Sequence, residues 1–214
     1  MQYLRTSDGP RILKALIETI QDNRAYLSEL DGAIGDGDHG INMSKGFGLA
    51  GEQLGDAGYD LSTALDTLGT TLMMEIGGAM GPLYGSLFMA MAAECQGREQ
   101  VDAALFGSML EAARRAVSDL ASARVGDKTL MDTLVPAAEA YAAELAAGGT
   151  FRSALVQMER AAEAGKESTR DLVARIGRAS RLGERSRGHL DAGATSCWLI
   201  LSALGQEILR VLVE

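Results

Sequence analysis

The chain has 214 residues, 47% of them apolar and 23% charged, with three prolines and a formal net charge of −9. That length suits one domain (1–214) with a sizeable core, and the composition argues against disorder. The acidic balance, with a pI near 4.8, argues against nucleic acid or an anionic membrane as a partner.

In chain order the apolar spacing predicts eight helices with short connections. The first runs from about Pro10 to Leu27, opened by Ser7-Asp8-Gly9-Pro10. No secretory leader is expected before it, because Arg5, Asp8, Arg11 and Lys14 interrupt any apolar run. The next helices span roughly His39–Leu54, Leu61–Glu75, Pro82–Cys95 and Glu99–Ala121, then Thr129–Leu145, Thr150–Ile176 and Asp191–Val213. No segment alternates with period two, so strands are not expected. Ile76 to Ala93 is 18 residues without a charge, the length at which a membrane helix enters consideration. Glycine and proline crowd its first half, so it reads as a loop followed by a buried helix. Cys95 and Cys197 lack metal or disulfide spacing and read as reduced, buried thiols of a cytoplasmic protein.

Between Asp31 and Gly40 the chain reads Asp-Gly-Ala-Ile-Gly-Asp-Gly-Asp-His-Gly, three carboxylates separated mostly by small residues. Two like charges about 4 Å apart repel by roughly 4 kcal/mol at an effective dielectric near 20. A hard divalent cation offsets that repulsion, and oxygen ligands on a glycine-permitted turn suit Mg²⁺ or Ca²⁺. An EF-hand beginning at Asp36 fails, because Gly40 and Phe47 stand where oxygen ligands belong. Zinc fits poorly with His39 as the lone local nitrogen. The competing explanation is a helix cap at Asp38, which accounts for one aspartate and not three.

If the helices run up and down, every second helix starts at the same end. Those starts are residues 35–40, 77–82, 126–129 and 191–196, all rich in glycine and capping groups. One rim then gathers several helix N-termini, which favour phosphate. Beside an aspartate-held cation, a nucleotide polyphosphate is the natural ligand.

At these residues the chain resembles the nucleotide-binding L subunit of dihydroxyacetone kinases. The stretch from Asp31 to Met43 is similar to that family's signature. Gly77–Gly85, Gly126–Thr129 and the Gly-Arg-Ala-Ser…Gly-His-Leu-Asp-Ala-Gly-Ala-Thr-Ser segment ending at Ser196 match its later motifs in order. The resemblance implies an all-α, eight-helix antiparallel up-and-down barrel with ADP or ATP and two Mg²⁺ ions at one rim. It implies that Asp31, Asp36 and Asp38 hold the metals. His39, Gly40, Ile41 and Asn42 then line the phosphates, and Ala79 and Met80 approach them from the next loop. Ala121, Leu130, Arg178, Asp191, Ala192 and Gly193 frame the nucleoside. The chain departs from the family at Met80 (commonly serine), Ala121 (glycine), Leu130 (methionine) and Ala192 (proline). Leucine for methionine nearly conserves volume, whereas Met80 removes a hydroxyl that could donate to phosphate.

Phosphoryl transfer asks for positioning and charge neutralisation, and no Ser/His/Asp or Cys/His constellation is visible. Lys166 to Arg187 carries a net charge of +4. It reads either as a solvated surface or as a loop folding over the nucleotide, its spare arginines docking an acidic partner. Lys128 and Arg178 read as solvated cations or as extra positive charge at the site. No second domain is visible to hold a sugar. The resemblance therefore implies a K-type ketose-binding partner subunit, with a phosphotransferase-system protein or free ATP as phosphoryl donor. A non-catalytic nucleotide-sensing module of the same fold is the other reading.

Overall fold

The computed structural model describes residues 2–55 and 58–214. Nine α-helices occur among them: α1 (Gly9–Asp22), α2 (Arg24–Ile34), α3 (His39–Leu54), α4 (Leu61–Glu75), α5 (Met80–Cys95), α6 (Ala103–Leu120), α7 (Met131–Ala146), α8 (Phe151–Ser168) and α9 (Ala192–Val211). Eight of them close a ring. α1 packs on α3, each helix from α3 to α9 packs on the next, and α9 returns to α1. At that closing seam Arg11 on α1 pairs with the buried Glu207 on α9, which also accepts from Arg210 at 2.9 Å. α2 stands outside the ring, packed chiefly on α3.

Each ring helix turns one apolar face inward. On α1 these are Ile12, Leu13, Leu16 and Ile20, at the spacing of one helical face. The core continues through Phe47 and Phe88, edge to face at 5.8 Å, and through a Phe106–Tyr141–Phe151 group. The charge-free run of α5, Met80–Ala93, packs one face into this core. No described helix is long and apolar enough to cross a membrane. Cys95 and Cys197 are buried and unbridged.

The structure corrects three expectations. The first helix breaks at Asn23, whose side-chain amide donates to Thr19 O at 2.8 Å, and the chain restarts as α2. Two three-residue strands exist, β1 (Tyr3–Arg5) and β2 (Gln100–Asp102), paired antiparallel. They are too short for a periodic signal, and with a bridge from Tyr3 to Val213 they tie both chain ends to the α5–α6 connection. α8 stops at Ser168 rather than near Ile176, because Ser168 and Thr169 turn their hydroxyls back onto Gly165 O and Lys166 O.

The two rims differ. Asp60, Asp102 and Thr150 cap α4, α6 and α8 with side-chain oxygens. On the other rim α3 and α5 begin without a side-chain cap. A surface cavity of about 460 Å³ lies at the capped rim beside Asp102, Phe151 and Glu214, away from the acidic cluster.

Candidate metal and nucleotide site

Asp31 projects from the last turn of α2, where Gly35 ends the helix by donating to Asp31 O. The chain then reverses through Gly37, whose φ of +79° lies in the left-handed region that glycine enters without steric cost. Asp36 and Asp38 flank that reversal, and α3 starts at once. The result brings one carboxylate oxygen from each of Asp31, Asp36 and Asp38 within 4.8 Å of the others. Gly40 lets α2 and α3 approach closely enough for this, since a Cβ there would strike Arg24 O and Ser28.

Asp38 occupies the N-cap position of α3 but makes no capping bond. Asp31 Oδ2 instead accepts from His39 N at 3.3 Å. Capping therefore does not account for the cluster. Among the described residues Arg178 pairs with Asp36, and neither Asp31 nor Asp38 has an ion-pair partner. Three hard oxygen donors converge with no soft ligand in the set, which fits Mg²⁺.

The amides of Gly40 and Ile41 lie in the uncapped first turn of α3, whereas Asn42 N is already bonded to Asp38 O at 2.9 Å. The His39 ring turns inward, its Nε2 2.8 Å from Ser196 Oγ on α9, and burial brings its imidazole down to about 4. Tyr84 on α5 reaches the same place, 2.6 Å from Ser196 Oγ and 2.9 Å from Gly193 O. Thr133 on α7 donates to Ala194 O at 3.0 Å. The starts of α3, α5, α7 and α9 thus meet on the first turn of α9, which is the convergence that alternating helix direction predicts.

Around this seam lie the remaining expected residues. Ala79 is exposed at the cap of α5, and Met80 behind it is half-buried against the core. Ala121 ends α6, half-buried. Leu130 is buried at the cap of α7, with its amide 3.6 Å from where a Cβ on Gly193 would stand. Asp191 caps α9 through Ala194 N at 2.7 Å, with Ala192 buried beside it. Burial pushes the Asp191 carboxyl up to about 6, against the opposing pull of the Ala194 amide and the Lys128 charge. Arg178 is set on Asp36, at the acidic-cluster side of the rim.

Several rim residues were not legible as such. Tyr84 and Ser196 lie within recognisable motifs, but only the crossing of α5 and α9 makes them partners. Lys128 is not a solvated cation: it is 1% exposed and donates to the backbone oxygens of Thr169, Leu172 and His189. Lys166 is also buried, its Nζ 4.0 Å from the centre of the Trp198 ring.

Residues 33–206 match the family model described as DAK2 domain. The chain belongs to the DAK2-domain family. It is 38% identical over 196 residues to the PEP-dependent dihydroxyacetone kinase 2, ADP-binding subunit DhaL, of Listeria innocua, covering 90% of each chain. It is 38% identical over 180 residues to the corresponding ADP-binding subunit of Escherichia coli, covering 84% of this chain and 86% of that one. Among solved structures, the native dihydroxyacetone kinase of C. freundii shares the DAK2 fold with a TM-score of 0.71 at 24% identity. That match covers 92% of this chain and 34% of the other. In this DAK2 domain Asp36, Asp38 and the four helix starts fall inside the matched span, whereas Asp31, β1, α1 and most of α2 precede it.

Proposed function

We propose that this chain is the Mg-nucleotide-holding subunit of a kinase for dihydroxyacetone or a related small ketose. The observation that carries the reading is the convergence of Asp31, Asp36 and Asp38 beside the uncapped starts of α3 and α5. Asp31, Asp36 and Asp38 would hold two Mg²⁺ ions, which when bound neutralise charge on the phosphoryl oxygens. The Gly40 and Ile41 amides orient those oxygens from the helix start. Leu130 and Gly193 offer an apolar wall for the nucleoside, and Ala79 and Met80 close the adjoining side. Relatives of nearly the same length are named ADP-binding subunits, which supports ADP or ATP as the nucleotide.

The sugar is assigned to a separate K-type subunit, and the rim's surface supports a docking partner. Ile41, Met74, Leu120, Val125 and Ile176 are exposed large apolar residues, and all five sit on the segments that border this rim. Exposed apolar groups gathered at one end mark a contact surface. The phosphoryl donor to the bound nucleotide is a phosphotransferase-system protein, as the relatives' PEP dependence suggests.

Mass spectrometry under non-denaturing conditions tests the binding half. The purified chain is expected to carry one adenine nucleotide and two divalent ions. Adding a K-type subunit with dihydroxyacetone or erythrulose, and either ATP or a PEP-driven phosphotransferase mixture, tests the transfer half. Tight nucleotide binding without transfer to any ketose would turn the reading to a nucleotide-sensing module.

A further inference from the structure

Lys128 is the one non-glycine residue with a positive φ, +63°, among the described residues. Holding a side chain in that region strains the backbone, and burying an ammonium is costly unless its protons are all bonded. Both costs are met at one place. Nζ has three protons, and it donates to three backbone oxygens: Thr169 at 2.6 Å, Leu172 at 3.3 Å and His189.

Those oxygens belong to the two limbs of a single excursion, the arginine-bearing loop between α8 and α9. Thr169 and Leu172 lie on the outgoing limb and His189 on the returning one. The limbs also bond to each other through Gly188 N and Arg170 O at 2.8 Å, and Arg175 N donates to Asp127 O at 3.2 Å. Thr169 Oγ1 accepts from Asp191 N at 3.0 Å, which joins the neck to the start of α9. At the far end of the loop Arg178 crosses to Asp36, and that stretch packs on α2. One loop therefore spans the rim from the nucleoside side to the acidic cluster, and the buried Lys128 ammonium lies in its neck.

We infer that Lys128 is a positioning residue whose ammonium closes the neck of the 169–190 loop and thereby sets Arg178 on the acidic cluster. Burial, with Arg187 and Arg170 nearby, lowers the ammonium from its ordinary value, and Asp191 and Asp132 oppose that shift. The consequence for metal binding rests on the proposed function, whereas the consequence for the loop does not. Arg178 competes with a cation for Asp36. Releasing the neck should therefore slightly strengthen binding of the metal alone, where a general loosening of the fold would weaken it.

The test is Lys128→Met in the full chain, read by amide hydrogen exchange and by calorimetry with Mg²⁺ alone. Exchange across 169–190 is expected to rise at least tenfold while the cores of α4 to α7 stay protected. Mg²⁺ affinity is expected to rise by about two- to fivefold, the worth of one exposed ion pair. Lys128→Ala titrated with ethylammonium supplies the second arm, since a small cation in the vacated space should restore loop protection. Unchanged exchange in Lys128→Met, no rescue by ethylammonium, or weaker Mg²⁺ binding with the loop released would each overturn the inference. If the wild-type chain binds no Mg²⁺, the proposed function falls and loop exchange alone decides the role of Lys128.

Discussion

His39 and Ser196, 157 residues apart in sequence, meet through a 2.8 Å contact between Nε2 and Oγ inside the rim. Tyr84 Oη lies 2.6 Å from the same hydroxyl, so one proton must sit between those two oxygens. Gly193 O accepts from either Tyr84 at 2.9 Å or Ser196 at 3.1 Å. The bond count is highest when the neutral imidazole carries its proton on Nε2 and donates to Ser196. α3, α5 and α9 are thus fastened at one point.

Removing the middle of this chain should cost more than removing its end. Ser196→Ala leaves the buried Nε2–H of His39 without an acceptor, and an orphaned buried donor costs about 1–3 kcal/mol. Tyr84→Phe leaves Ser196 free to bond Gly193 O, so about 1 kcal/mol is expected. Urea unfolding with an unchanged slope would rank the variants, and the reverse order would refute the fastening.

Acid loads two rim groups in opposite senses. His39 falls from 6.5 unfolded to about 4 folded, so the unfolded chain binds the extra proton. Its contribution is intact above pH 6.5 and is lost as pH falls through about 4, worth about 3 kcal/mol at 1.36 kcal/mol per pH unit. Asp191 rises from 3.8 to about 6, so its contribution is full below 3.8 and is lost as pH climbs through about 6. Relative to wild type, His39→Gln should gain stability as pH drops from 6.5 to 4. Asp191→Asn should lose stability over the same descent, read by unfolding at each pH.

Much of this was legible because local chemistry and fold agree. Glycine, proline and capping residues bound α3, α4, α5 and α9 within about two residues of the sequence reading. The acidic cluster was legible as three carboxylates on one glycine-rich turn, and the fold brings an oxygen of each within 4.8 Å of the others. The break at Asn23 carried no such sign, since Asp22-Asn23-Arg24 contains neither glycine nor proline and the apolar spacing continues through it. Lys128 and Lys166 were unreadable for another reason. Lysine is seldom buried, and only the folded chain brings backbone oxygens to one and the Trp198 face to the other.

The acidic cluster should show itself as metal-dependent stability. Bound ligand at 100 times its dissociation constant adds about 2.7 kcal/mol. Asp38→Asn should abolish most of that increment with Mg²⁺, because Asp38 makes no capping bond to lose. In chelator the same variant should match or exceed wild type, since one of three crowded charges is gone. Melting curves in Mg²⁺ and in EDTA separate the two effects. A variant equally weakened in both would argue for a structural aspartate.

Two glycines test the packing that holds the rim's helices together. Where α4 crosses α5, a Cβ on Gly85 would stand 2.9 Å from Gly69 O and 3.1 Å from Met73 N. Neither is a flexible side-chain end, so the helices must part, and overpacking of this kind costs about 1–3 kcal/mol. Gly48 on α3 has only Gln21 Nε2 within reach, at 3.4 Å. There the ordinary preference of alanine over glycine in a helix, up to about 1 kcal/mol, is unopposed. Gly85→Ala should therefore lower the denaturant midpoint and Gly48→Ala raise it. Equal shifts in the two would mean that α4 and α5 do not cross as closely as Gly69 and Gly85 allow.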